Sequence, residues 1–299
     1  MTFPARIPRL STRRSPGFGQ DGPHAGYAYS DIVGQAMGGL MTLAGERTDP
    51  PNLIYGNQAN VSASIQAAQG TLLAVLHAEA TGEGQRVEVS AQEAVSMSQE
   101  TAMQTWDLQK TNRTRTGALG MIPIALPGMG VYKTLDGYVV AYIMAPAGAD
   151  FPELVDWMRE EEKEQDLDEP EFKKVVEGLN MAMLTQAMAD PESAADLAGV
   201  ISHLNDVVAE FFSGMDSKTA YEEGQRRRLL IGIASTPSGL AENTQLRERG
   251  WYQTITFGGG VGELDFPGPP YRLSETPAQI DPPPLLGQHT EEILAGLSN

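Results

Sequence analysis

Residues 59–70 read Ala59-Asn60-Val61-Ser62-Ala63-Ser64-Ile65-Gln66-Ala67-Ala68-Gln69-Gly70. The run continues without a proline to Ala80, so a helix is expected over 61–80. Ala63, Ala67 and Gly70 recur three or four residues apart, which puts them on one face. Small side chains there predict a tightly packed, buried helix. Asn60, just ahead of the run, is a residue type suited to capping a helix start. Upstream, Ser30–Leu43 (SDIVGQAMGGLMTL) has apolar residues at helical spacing behind a Ser-Asp start. Gly38 and Gly39 lower helix propensity there and are expected where a neighbour packs close to the backbone. The loop between the two helices is rich in turn residues. Downstream, TGEGQ makes a turn and RVEVS (86–90) alternates like a strand. Residues 91–109 are expected to form a third helix with one apolar stripe.

Further along, 111–127 is a linker carrying Gly117, Gly120, Pro123 and Pro127, and it marks a domain boundary. In 130–143 two β-rich runs flank Leu135-Asp136-Gly137, a hairpin signal. From Pro152 to Arg228 the pattern is helical and polar. Its charge run at 159–174 reads as a solvated helix face and loop. LLIGIAST (229–236) is a short strand, and 236–250 a capped helix ending at Gly250. YQTITF (252–257) is a strand, and Gly258–Gly260 a hairpin turn or loop. A turn-rich segment follows at 266–277. His289-Thr290 before Glu291-Glu292 places a cap and acidic residues at the start of a last helix. There is no internal repeat.

Composition narrows the chemistry. In 299 residues, 21 Lys and Arg face 39 Asp and Glu, a formal net charge of −18. Such a chain repels nucleic acid and anionic lipid, so a basic site would have to be local. The absence of cysteine excludes disulfides and thiolate chemistry. The basic start, MTFPARIPRLSTRRSP, lacks the apolar core of a secretory signal, and no run reaches the ~20 apolar residues of a membrane helix. A soluble, cytoplasmic protein is expected. His24, His77, His203 and His289 form no metal-ligand spacing, so no metal is expected. His77, on an apolar helix, reads as a core histidine. No GxSxG nucleophile elbow is present, and GFGQDG matches neither dinucleotide nor P-loop spacing.

Taken in order, however, the motifs resemble the class III CoA-transferase family, the group of formyl-CoA transferase, carnitine CoA-transferase and the bile-acid-inducible proteins. The resemblance runs from Pro16-Gly17-Phe18-Gly19-Gln20-Asp21-Gly22-Pro23 through Asp31–Leu40 to the Ala59–Gly70 run, which follows the family's A-D-x-x-A-G-x-x-A-x-x-G. It continues through Thr81-Gly82-Glu83-Gly84-Gln85, Gly130-Val131-Tyr132, PGPPYRLSETP and PPPLLGQHTEEIL.

The resemblance implies an α/β fold with a Rossmann-like large domain lacking its N-terminal part. Residues 1–115 would be its remnant, 116–129 a linker, 130–240 a small α+β domain, and 241–299 a segment returning to the large domain. An interlaced dimer is expected. The implied reaction moves coenzyme A between an acyl-CoA and a carboxylic acid, with coenzyme A as substrate and no prosthetic group. In the family the motif's Asp attacks the acyl-CoA; here the aligned residue is Asn60. A carboxamide is neutral and cannot form the acyl anhydride, and Asn60 as a plain helix cap explains it fully. Asp31 is the substitute acid to weigh, with Tyr29 positioning a thioester. Gln20, Gly128 and Gly130 are candidates to line the pocket. The racemase branch uses a His together with the Asp; Tyr29-Ser30-Asp31 stands in that His's place and His24 lies too early, so racemase activity is not expected. Stretches such as VSAQEAV, Trp106-Asp107-Leu108 and Glu223–Arg228 resemble the Asp-lacking, non-catalytic subunit of benzylsuccinate CoA-transferase. That implies a non-catalytic subunit paired with an Asp-containing one; the alternative is a CoA-binding pseudoenzyme or truncated fragment with a structural role.

Overall fold

The computed structural model describes residues 17–119, 125–143, 149–180, 183 and 191–297. The basic N-terminus, and Gly120 and Pro123 of the linker, lie outside these. The chain divides into two compact units, Met1–Ile233 and Ala234–Asn299.

The first unit opens with a helical corner. Helix α1 (Asp31–Met37) and the single turn α2 (Leu40–Leu43) replace the one helix expected over 30–43. The break falls at Gly39, whose φ of +88° lies in the left-handed region open to glycine. Gly38 answers to close packing as expected: a Cβ there would meet Val95 at 2.5 Å. Helix α3 spans Gln58–Thr81, longer at its start than the pattern indicated. Its cap is Asn57 at φ +36°, so Asn60 lies inside the first turn and is not the cap. Nor is α3 a buried helix. Only Ala59, Ala63 and Ala74 are buried, while Ile65, Leu72, Leu73 and Leu76 are 53–68% exposed. His77 is exposed and therefore no core histidine.

The expected third helix is two, α4 (Ala91–Met97) and α5 (Ala102–Gln109). Glu100 turns the chain between them at φ +46°. Ser90 caps α4 by accepting the Glu93 N–H. Residues 86–90 form no strand of their own; only Val87 makes a single bridge. The α5 stripe is also exposed, with Trp106 at 52% and Leu108 at 81%. The corner's small core joins Ala63, Ala91 and Ala94 with Tyr29 and Val89.

The larger core of this unit lies further along the chain. Strands β1 (Met129–Lys133) and β2 (Tyr138–Tyr142) form the expected antiparallel hairpin, and β3 (Ile231–Ile233) pairs with β2. Asp136 earns its place in the turn. Its Oδ1 accepts from the Ser217 N–H at 2.8 Å and the Thr134 hydroxyl at 3.1 Å, tying the hairpin to the start of a distant helix. The strands' inward residues, Tyr132, Val139 and Ala141, meet α6 (Phe151–Glu160), α7 (Pro170–Gly178) and α8 (Pro191–Ser213). In α6, Phe151, Leu154, Val155 and Met158 fall on one face at helical spacing, and Trp157 joins them edge-on to Phe211 at 4.9 Å. The charge run between α6 and α7 is a solvated helix end and loop; Arg159 there reaches Asp168 at 2.7 Å. Helix α9 (Ser217–Arg226) completes the layer.

The second unit contains α10 (Pro237–Ala241) and α11 (Thr244–Glu248), two short helices where one was expected. Asn243 caps α11 by accepting the Leu246 N–H, which requires a break there. Strands β4 (Tyr252–Phe257) and β5 (Gly262–Pro267) form a hairpin around the glycines at 258–260. Helix α12 (Thr290–Leu297) begins at the acidic residues as expected. Among the described residues no helix is long and apolar enough to cross a membrane.

Candidate functional site

The motif residue Asn60 sits in the first turn of α3, where α3 meets α1 and the strand-like segment before α1. A 24-residue helix begins here, so unpaired N–H groups and the helix dipole favour negative charge. The structure brings three of the expected residues together at this point. The Tyr29 hydroxyl donates to Asn60 Oδ1 at 3.3 Å, and the Asn60 backbone N–H donates to Asp31 Oδ1 at 2.9 Å. Asp31, rather than Asn60, thus serves the start of α3 with a carboxylate from another helix.

Asp31's other oxygen is also engaged: Gln35 Nε2 donates to Oδ2 at 2.7 Å. Gln35 is fully buried, and no feature of the motif comparison had singled it out. Its amide also donates to the Ile54 carbonyl and accepts from the Ile54 N–H, both at 3.1 Å. It therefore fixes the loop entering α3 against α1. One signal was available in the sequence: a Gln one turn after Asp31, on the side of α1 that carries Gly34. At Gly34 a Cβ would come within 2.5 Å of the Tyr29 hydroxyl and 2.7 Å of the Ala59 Cβ. Its absence lets α1, Tyr29 and α3 converge.

Burial, reinforced by the Asp31 charge, raises the pKa of Tyr29 above the ordinary tyrosine value, so its hydroxyl remains a donor. The Phe18 ring meets Tyr29 edge-on at 6.0 Å and His24 at 5.8 Å. Gln20 is held close by: its N–H donates to Glu88 Oε1 at 2.6 Å. The hydrogen bond from Arg86, then that from Gln20, lowers the Glu88 pKa.

Gly128 and Gly130 sit elsewhere, at the entry to β1. Both take backbone angles that favour glycine, φ +74° and +143°. The Gly128 N–H donates to the Tyr132 hydroxyl at 2.9 Å, and a Cβ on Gly130 would lie 2.6 Å from the Ala118 carbonyl. Tyr132 is buried and its pKa is pushed up to about 12, so it stays a neutral anchor for this loop. Turn and packing demands thus account for both glycines. No group of three His, Asp or Glu side chains is placed to hold a metal among the described residues.

The profile of CoA-transferase family III matches residues 2–290. The chain belongs to CoA-transferase family III. It is 31% identical over 286 residues to the succinyl-CoA:(R)-benzylsuccinate CoA-transferase subunit BbsE of Thauera aromatica, covering 93% of this chain and 63% of that relative. It is 28% identical to the succinyl-CoA–D-citramalate CoA-transferase of Chloroflexus aurantiacus, covering 97% of this chain and 66% of that one. This family member thus spans less than two thirds of the length of either relative. A CAIB/BAIF family protein from Brucella suis superposes on it with a TM-score of 0.71 at 19% identity, over 94% of this chain and 66% of that structure. The likeness extends the family assignment to the α/β fold.

Proposed function

We propose that this chain is the non-catalytic subunit of a heteromeric CoA-transferase that moves coenzyme A between an acyl-CoA and a carboxylic acid. One observation carries the reading: at the position that aligns with the family's nucleophile stands the carboxamide of Asn60, held in a hydrogen-bonded corner. Tyr29, Asp31, Gln35 and Gly34 all hold the geometry around it. Asp31 is a poor replacement nucleophile, because one oxygen is bound to the Asn60 N–H and the other to Gln35. A carboxylate already accepting two hydrogen bonds is stabilised in its ground state, and attack through either oxygen would give up the bond held there. The similarity to BbsE, named as a subunit of its enzyme, supports the same reading. The expected partner is a family member with an intact Asp, and the ligands are an acyl-CoA and a carboxylic acid.

The test is a CoA-transfer assay with succinyl-CoA and a panel of carboxylic acids. The purified chain alone should show no turnover. Co-expression with an Asp-bearing family subunit should give a complex whose turnover depends on the partner's Asp and is unchanged by Asn60→Ala in this chain. Turnover by the unmodified chain alone sinks the proposal.

A further inference from the structure

The second unit contains a cavity of about 540 Å³ between the end of α11, the start of β4 and the proline-rich stretch after β5. Trp251, Tyr271, Pro269 and Pro270 line it, together with Arg249 and Arg272, and no Asp or Glu does. That charge is out of keeping with its surroundings. Residues 234–299 carry eight acidic residues against three arginines and no lysine. Arg247 is spent on Asp265 at 3.4 Å and on the Tyr252 ring. The other two both face the cavity, and among the described residues neither guanidinium has a hydrogen-bond or ion-pair partner.

The cavity is built, not incidental. Gly250, at φ +61°, turns the chain from α11 into β4 and sets Arg249 beside Trp251. The Gly268 N–H donates to the Trp251 carbonyl at 2.7 Å, and a Cβ at Gly268 would approach that oxygen to 2.8 Å. The floor is thereby pinned, and Pro269-Pro270 stiffen the rim. Tyr271 is 60% exposed, so its ring is available to a ligand.

Two unpaired guanidinium groups ask for a multiply charged anion, and their planar fork matches phosphate. Aromatic faces beside them accept a planar ring. The volume falls in the range of small-molecule and cofactor sites. We infer that this cavity binds a nucleoside phosphate, with phosphate on Arg249 and Arg272 and the base against Trp251 or Tyr271. The ligand is either a free nucleotide or the nucleotide end of coenzyme A. The inference does not depend on the subunit reading, since it uses no residue of the α1–α3 corner.

Isothermal titration of the full chain with ADP, adenosine 3′,5′-bisphosphate, coenzyme A, adenosine and pyrophosphate tests it. The nucleoside phosphates should bind, with adenosine and pyrophosphate each about tenfold weaker or more. Arg249→Ala/Arg272→Ala should weaken binding about tenfold or more, and Tyr271→Ala should weaken it without changing its salt dependence. All three side chains are exposed, so circular dichroism should be unchanged. Coenzyme A binding as tightly as the bisphosphate identifies the nucleotide end of coenzyme A; binding of free nucleotides but not coenzyme A identifies the former. Absence of binding by any nucleotide up to about 1 mM, or affinity unaffected by the double arginine substitution, overturns the inference.

Discussion

Gln35 joins three partners at once: the Asp31 carboxylate, and both the N–H and the carbonyl of Ile54. Removing it would take a hydrogen-bond partner from each of those part-buried groups and leave a gap at the fully buried Gln35 position. Gln35→Ala should therefore cost about 1–3 kcal/mol of stability in urea unfolding. Gln35→Glu keeps the shape but sets a second carboxylate against Asp31 and the Ile54 carbonyl; it should cost more at neutral pH than at pH 4. At position 60 the expectation differs. Asn60→Asp places a charge in the first turn of a long helix, which is favourable, but near Asp31, which is not. Its stability should stay within about 1 kcal/mol of the parent in the same urea measurement. Incubated with an acyl-CoA, that variant should accumulate a covalent adduct at position 60 that the parent lacks, visible by mass spectrometry. Such an adduct would show that the corner needs only the carboxylate.

Among the elements, the α1–α3 contact is set by a missing side chain. Gly34→Ala would push a methyl against the Tyr29 hydroxyl and Ala59. We expect a loss of about 1–3 kcal/mol, together with a weakened Tyr29–Asn60 contact, read by thermal unfolding and tyrosine fluorescence. The hairpin makes a pH prediction. Hydrogen bonding from the Ser217 N–H is the main cause holding the Asp136 carboxyl below its ordinary pKa. A depressed folded-state pKa gives stability that is present above the unfolded value and lost as pH falls through the folded one. The parent should thus lose this contribution to stability as pH falls through the carboxylate range, and Asp136→Asn should flatten that part of the stability–pH curve. Asp-Gly at 136–137 identified the turn from sequence. Its bond to Ser217, 81 residues on, could not be read there, because it depends on where α9 docks.

On the scale of the whole molecule, α3 leaves Ile65, Leu72, Leu73 and Leu76 largely exposed. An apolar stripe of this kind on a folded chain marks a surface that another surface covers. Sedimentation velocity should show concentration-dependent association, and Leu73→Glu/Leu76→Glu should shift it toward the smaller species without unfolding α3. The sequence alone determined the family, the hairpin, the helical character of the described residues between Pro152 and Arg228, and the odd residue at position 60. These are written in local pattern: alternation, turn residues and ordered motifs. It misjudged α3 as buried, because small residues on one face identify a contact side but say nothing of what faces the other. It read Asn60 as a cap because local propensity cannot see that Asn57 takes the left-handed turn three residues earlier. Tertiary structure decided the rest: Asp31 crosses from one helix to serve the start of another, and Gln35 locks the loop between them. Residues 29 and 31 separated from 60 in sequence become neighbours only because Gly34 lets two helices meet, a contact set by packing rather than by propensity.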